Sequence, residues 1–218
     1  MRTTARIPFC LLPLAFCLAV VRGDAPPVAF YAQAFDSLEE GAPPENILIL
    51  NGEFSVVKLE DGNKVLRLAG DPLDTMGALV GPADKNEYSV AARILAESTG
   101  RRFPEFGVGA CGPGQYRLWL MPAVGELQLI KGEDVLAKVA FAWKSGEWVR
   151  FRLQVAKAGD AFKVQGKAWR DGEAEPKEWA VTAEDKEAPP AGRACLLSTP
   201  YSGKATLFDD VVVGPVGK

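Results

Sequence analysis

The chain has 218 residues, 48% of them hydrophobic, and a net charge of −3 from 25 basic and 28 acidic side chains. The two signs are mixed throughout, so no basic block or basic–aromatic stripe marks a nucleic-acid surface. No histidine occurs, which excludes Ser-His-Asp and Cys-His catalysis, HExxH zinc chemistry and imidazole metal sites.

Residues 1–23 read as a secretory signal peptide. Arg2 and Arg6 precede an apolar run from Ile7 to Val21, and Val21-Arg22-Gly23 offers a small residue for cleavage. The run is about 15 residues, short for a membrane span. Phe9 and Phe16 stand before Cys10 and Cys17 where a lipoprotein signal needs a small residue. The expected mature chain, residues 24–218, has no membrane span and is secreted, periplasmic or held at the cell surface. It is long enough for one domain with a substantial core. Its two cysteines, Cys111 and Cys195, are either a disulfide, which an exported compartment permits, or two buried thiols. No CxxC motif occurs, which excludes a zinc ribbon or thioredoxin-type site.

From Asp24 onward the apolar period is two. Candidate strands are Ala29–Phe35, Gly52–Lys58, Lys64–Ala69, Gly77–Gly81, Tyr88–Ala96, Phe106–Cys111, Gln115–Met121, Glu126–Lys131, Val135–Phe141, Glu147–Val155, Phe162–Arg170, Glu178–Thr182, Arg193–Ser198 and Ala205–Val213. Turn signals separate them, among them Asp61-Gly62, Gly112-Pro113-Gly114, Gly159-Asp160 and Asp171-Gly172. Many short strands at this spacing predict an all-β fold, and the count suits a two-sheet antiparallel jelly-roll sandwich. Ala91–Ser98 and Ala180–Lys186 are the only stretches open to a helical reading.

The most informative constellation lies on two adjacent strands. In Glu147–Val155, Val149, Phe151, Leu153 and Val155 share one face, and Trp148, Arg150, Arg152 and Gln154 the other. In Phe162–Arg170, Lys163, Gln165, Lys167 and Trp169 share the polar face. If Val155 pairs with Phe162, Trp148 stands opposite Trp169, within about 5 Å. The functional reading is a carbohydrate platform: Trp148 and Trp169 stack on sugar rings while Arg150, Arg152 and Lys167 bond hydroxyls. The competing reading is that a loop packs over the indoles, because buried aromatics gain much from contact.

Catalysis is the weaker reading of GKAWRDGEAEPKEW, residues 166–179. A retaining glycosidase needs two carboxylates about 5–5.5 Å apart. Jelly-roll glucanases carry them on one strand as ExDxE or ExDxxE, and neither motif occurs. Glu173, Glu175 and Glu178 follow a turn signal, and Pro176 argues against a central strand. Solvated turn carboxylates have little reason for the raised pKa of a general acid.

Trp143-Lys144-Ser145-Gly146-Glu147-Trp148, Gly166-Lys167-Ala168-Trp169, Gly192-Arg193-Ala194-Cys195-Leu196 and Phe208-Asp209-Asp210-Val211 occur in an order that resembles a known set. It is that of the concanavalin A-like lectin/glucanase jelly rolls, particularly the laminin-G-like and 3-keto-disaccharide hydrolase domain group. Phe35-Asp36-Ser37-Leu38, Gly52-Glu53-Phe54 and Gly62-Asn63-Lys64-Val65-Leu66 fit its front end. The tryptophan common after the proline-rich turn is absent, and Ile47 stands near its place. Such motifs are structural, specific for fold and poorly specific for activity.

The resemblance implies that the first and last strands pair. Asp36 would then approach Asp209 or Asp210, giving oxygen ligands for a structural Ca²⁺; alternatively, an aspartate caps the bend of the first strand. It also implies that the strands of Cys111 and Cys195 share a sheet, where a bridge would contribute about 2–4 kcal/mol. The expectation is an exported, non-catalytic glycan-binding or structural module whose partner is a polysaccharide or oligosaccharide. An extracellular hydrolase of a disaccharide or polysaccharide and a protein–protein adhesion domain are the alternatives.

Overall fold

The computed structural model describes residues 28–71 and 74–217. The stretch read as a signal peptide, residues 1–23 with Cys10 and Cys17, lies outside the described residues. Among those residues no helix is long and apolar enough to cross a membrane.

The strands in chain order are β1 (Tyr31–Gln33), β2 (Leu48–Asn51), β3 (Phe54–Lys58), β4 (Lys64–Leu68), β5 (Met76–Val80), β6 (Tyr88–Leu95), β7 (Glu105–Ala110) and β8 (Tyr116–Met121). There follow β9 (Glu126–Lys131), β10 (Asp134–Ala140), β11 (Trp148–Ala158), β12 (Ala161–Arg170), β13 (Val181–Asp185), β14 (Ala194–Thr199) and β15 (Thr206–Gly214). All but β2 overlap a predicted strand, and both stretches open to a helical reading are extended. One sheet has the order β13-β12-β11-β6-β15-β4-β3, with β1 also on β15; the other is β10-β9-β8-β7-β14-β5-β2. Every pairing is antiparallel. The fold is an all-β two-sheet sandwich, as the period of two requires.

The alternating apolar residues meet between the sheets. On β11, Val149, Phe151, Leu153 and Val155 are buried; on β6, so are Tyr88, Val90, Ala92 and Ile94. Burying each large apolar side chain gains about 1.5–3 kcal/mol. Phe106 and Phe151 pack edge to face with centroids 5.8 Å apart, and Trp143 closes on Phe106 at 6.1 Å. On β12 the inward position opposite Leu118 is Gly166. A Cβ there would lie 2.5 Å from a Leu118 methyl, so the close approach of the two sheets requires glycine.

Two details of register place the outward residues. The β11–β12 hairpin turns at Gly159-Asp160, with Gly159 at φ 66°. Val155 therefore pairs with Val164 and not with Phe162, so Trp169 faces Arg150 while Trp148 faces Leu95 of β6. The predicted tryptophan pair is not formed, because the turn is tighter than expected and moves the ladder by two residues. In β15 the register shifts between Asp209 and Val212, with Asp210 at φ 50°. This bulge turns two consecutive aspartates outward and returns Val211 and Val213 to the core, where both are fully buried.

Candidate functional site

The outer face of the eight-stranded sheet gathers most of the polar residues singled out above. Arg93 of β6 stands directly opposite Arg150 of β11. Like charges so placed repel, and three carboxylates offset the repulsion. Arg93 donates to Asp209 at 2.6 Å and to Asp171 at 3.2 Å, and lies 3.4 Å from Asp210. Arg150 donates to Asp171 and, at 2.9 Å, to Asp210. Burial alone would lower the pKa of both guanidiniums, but these bonds outweigh it and the net shift is upward. Burial likewise favours a neutral Asp171, yet Arg150 and Arg93 hold it below the usual carboxylate range. Trp148 rests on this network, its ring centre 4.7 Å from the Arg93 guanidinium carbon.

One strand-step along, the arrangement changes. Arg152 Nε lies 3.1 Å from Glu175, and Lys167 Nζ lies 2.8 Å from the same carboxylate. Lys167 also donates to the Pro176 carbonyl at 2.6 Å and sits 4.6 Å over the ring of Trp179. Beside them Gln154 donates to Gln165, and Gln165 donates to Thr182 at 3.2 Å. The segment between β12 and β13 folds back to make these contacts, fixed at its ends by Asp171 N–H to Trp148 O and Ala180 N–H to Gly166 O.

Three depressions adjoin on this face and all touch Arg152. One, of about 480 Å³, is lined by Gln33, Ala91, Arg150 and Asp210 among others. A second, of about 370 Å³, is lined by Gln154, Gln165, Lys167, Glu175, Lys177 and Trp179. The third lies over Ser89, Ala91 and Pro215. Small side chains on β6 leave the floor low, so the three form one groove of small-ligand dimensions.

Of the residues predicted to bind sugar, Arg150, Arg152 and Lys167 line this groove. Trp148 lies apart, in a cleft with Glu147, Arg170, Asp171 and Glu173. Trp169 is 7% exposed and borders a side recess with Phe141 and Pro176. Trp179 is the aromatic in the groove; the sequence places it in the strand Glu178–Thr182, whereas it precedes β13, in the segment folded back over the sheet. Its signal was present: a tryptophan in a charged segment, a few residues from a strand whose outward face already carried Lys167.

The aspartates predicted to ligate Ca²⁺ are spent otherwise. Asp209 accepts from Arg93 and from Asn63 at 2.9 Å, and Asp210 is bound by two arginines. Asp36 accepts from the Lys64 backbone N–H at 3.1 Å, which ties it to the start of β4 and not to the bend of its own strand. Among the described residues no three acidic, cysteine or histidine side chains are placed to hold a metal ion. Guanidinium nitrogens occupy Asp209 and Asp210, and a donor set so engaged does not fit a dication.

Cys111 and Cys195 lie on neighbouring strand ends of one sheet but are free and buried, not bridged. Cys111, at φ 62°, belongs to the cluster between the sheets; Cys195 packs on the outer side with Trp119, Ile130 and Leu197. Burial pushes each thiol up to about 12.

No family model matches the sequence, and no curated protein matches it. Solved structures do. A mutant GH43 protein, BlXynB, from Bacillus licheniformis superposes with a TM-score of 0.56 at 16% identity over 85% of this chain and 39% of that one. A xylan β-1,4-xylosidase from Bacillus halodurans C-125 gives 0.55 at 14% identity over 98% of this chain and 41% of that one. Lectin II from Ulex europaeus gives 0.47 at 11% identity over 85% of this chain and 97% of that one. What the chain shares with the first two is the two-sheet antiparallel β-sandwich. The chain spans about two fifths of the length of the first two proteins, and at these identities the likeness is one of fold.

Proposed function

We propose that the chain is an exported, non-catalytic glycan-binding module whose ligand lies in the groove on the outer face of the eight-stranded sheet. One observation carries the reading: Trp179 stands beside Arg152, Lys167 and the Gln154–Gln165–Thr182 chain, on the rim of a groove with a low floor. An indole stacks on the C–H face of a sugar ring while amides and cations bond its hydroxyls. The apolar N-terminal stretch supports export. Binding is favoured over hydrolysis because Asp171, Asp209, Asp210 and Glu175 on this face are engaged by arginine or lysine, whereas a general acid needs a carboxyl held neutral by its surroundings.

Affinity electrophoresis of the chain in gels containing soluble polysaccharides tests this, with melting curves in parallel. Trp179→Ala should abolish retardation while leaving the melting temperature within a few degrees. Trp169→Ala should instead melt lower, since removing a buried tryptophan costs about 3–5 kcal/mol. Release of reducing ends from oligosaccharides would replace this reading with a hydrolase. Absence of retardation in every gel, with self-association or capture of a protein ligand, would replace it with an adhesion domain.

A further inference from the structure

The four cations of this face, Arg93, Arg150, Arg152 and Lys167, are not equivalent. Arg93 and Arg150 spend their forks on Asp171, Asp209 and Asp210. Lys167 is 6% exposed and held by Glu175 and the Pro176 carbonyl. Arg152 differs. Its Nε is buried, 3.1 Å from Glu175 but without a hydrogen bond of acceptable geometry. Among the described residues Glu175 is the one carboxylate paired with its guanidinium, through Nε, which leaves the edge formed by the two terminal nitrogens facing outward from that pair. The side chain is 37% exposed and borders all three depressions of the groove. An arginine bordering every part of a groove, with its terminal-nitrogen edge unspent, is a prepared site for a planar anion.

The charge of the groove agrees. Its walls carry Arg150, Arg152, Lys167 and Lys177 against Asp210 and Glu175, an excess of cations in a chain whose net charge is −3. Neutral sugars need no such excess, because hydroxyls are bonded as well by amides. Of the two wall carboxylates, Glu175 reaches Arg152 and Lys167 together, the geometry that a ligand carboxylate would use from the open side.

We infer that the ligand is an acidic glycan, with a uronate carboxylate seated on the free guanidinium edge of Arg152 and its sugar ring near Trp179. This rests on the glycan-binding reading and narrows it. Trp179 supplies the stacking face, Gln154 and Gln165 lie where ring hydroxyls would fall, and Arg152 selects for charge. A lysine at 152 would keep the charge and lose the fork.

The test compares uronate polymers (polygalacturonate, alginate, glucuronoxylan) with the same polymers after carboxyl reduction, with neutral xylan, and with dextran sulfate. Retardation of the full chain is measured in each. Binding to at least one uronate polymer should fall about tenfold or more on carboxyl reduction. Arg152→Lys should lose a similar factor, and Arg152→Ala more, with melting temperatures unchanged. Equal binding to the reduced and native polymers, insensitive to Arg152→Lys, would overturn the inference and leave a module for neutral glycans. Retention by dextran sulfate alone would overturn it in favour of a sulfated ligand. Failure to bind any polymer would overturn the glycan-binding reading itself. Loss through Trp179→Ala with no effect of Arg152→Ala would remove Arg152 while keeping the groove.

Discussion

At the scale of single residues, the outer face is held by charge pairs of unequal burial. Asp209 is 1% exposed, so its partner matters more than those of Asp210 or Glu175. Arg93→Ala leaves a buried carboxylate with the Asn63 amide and the Asp210 backbone N–H but no countercharge, and a loss of about 3–5 kcal/mol in urea unfolding is expected. Arg150→Ala, which uncovers more exposed partners, should cost well under half as much. The cysteines give a second expectation. With both thiols buried and pushed up to about 12, the native protein should not react with Ellman's reagent at pH 8. Unfolding in guanidinium should release both without reductant. Thiols that appear only after reduction would show that a bridge forms on export.

At the scale of elements, glycine marks where strands come closest. A Cβ on Gly107 of β7 would lie 1.9 Å from the Leu118 carbonyl oxygen of β8. A strand cannot step aside as a flexible side chain can, so Gly107→Ala should cost about 3 kcal/mol, the upper end for overpacking. A shift of the thermal midpoint by fewer than two degrees would contradict that. Alternation made most strands legible. Val149 to Val155 reads correctly because its inward residues meet a continuous core. β2 escaped because Leu48, Ile49 and Leu50 are consecutive apolar residues on an edge strand, Leu48 and Leu50 exposed, with no period to detect. β13 starts three residues later than predicted because Glu178 and Trp179 belong to the segment folded back on Lys167. The groove was half legible: Arg150, Arg152 and Lys167 follow from alternation, whereas Trp179 depends on the path of a connection. The bulge that turns Asp210 outward has no sequence signal beyond two adjacent aspartates.

At the scale of the molecule, stability should have a plateau bounded by two sets of ionisations. Burial raises the pKa of Asp171 and Asp185, but arginine bonds on the first, and Lys131 and Tyr116 on the second, leave both lowered. A lowered folded pKa contributes stability that is complete above the unfolded value, about 4. That contribution is lost as pH falls through the folded values. Cys111, Cys195 and Tyr31 are shifted the other way by burial, each to about 12. Their contribution is complete below the unfolded values, about 8.5 for thiols and 10 for tyrosine, and is lost as pH rises through about 12. Melting temperature should therefore be flat from about pH 4 to 8.5 and fall on both sides. An optimum confined to the isoelectric region would contradict the assignment.

The pairing of the first strand with the last has a consequence for engineering. Tyr31 lies opposite Val213, and Phe30 N–H bonds the Val213 carbonyl, so the two ends of the described fold leave from one point on its rim. A short linker could join them, and new termini could be opened in the exposed Gly112–Gly114 turn on the opposite sheet without cutting a strand. Fused cargo would stand at the same corner whichever end carried it, beside Pro215 and the mouth of the groove, where a bulky fusion would compete with a long polymer for space.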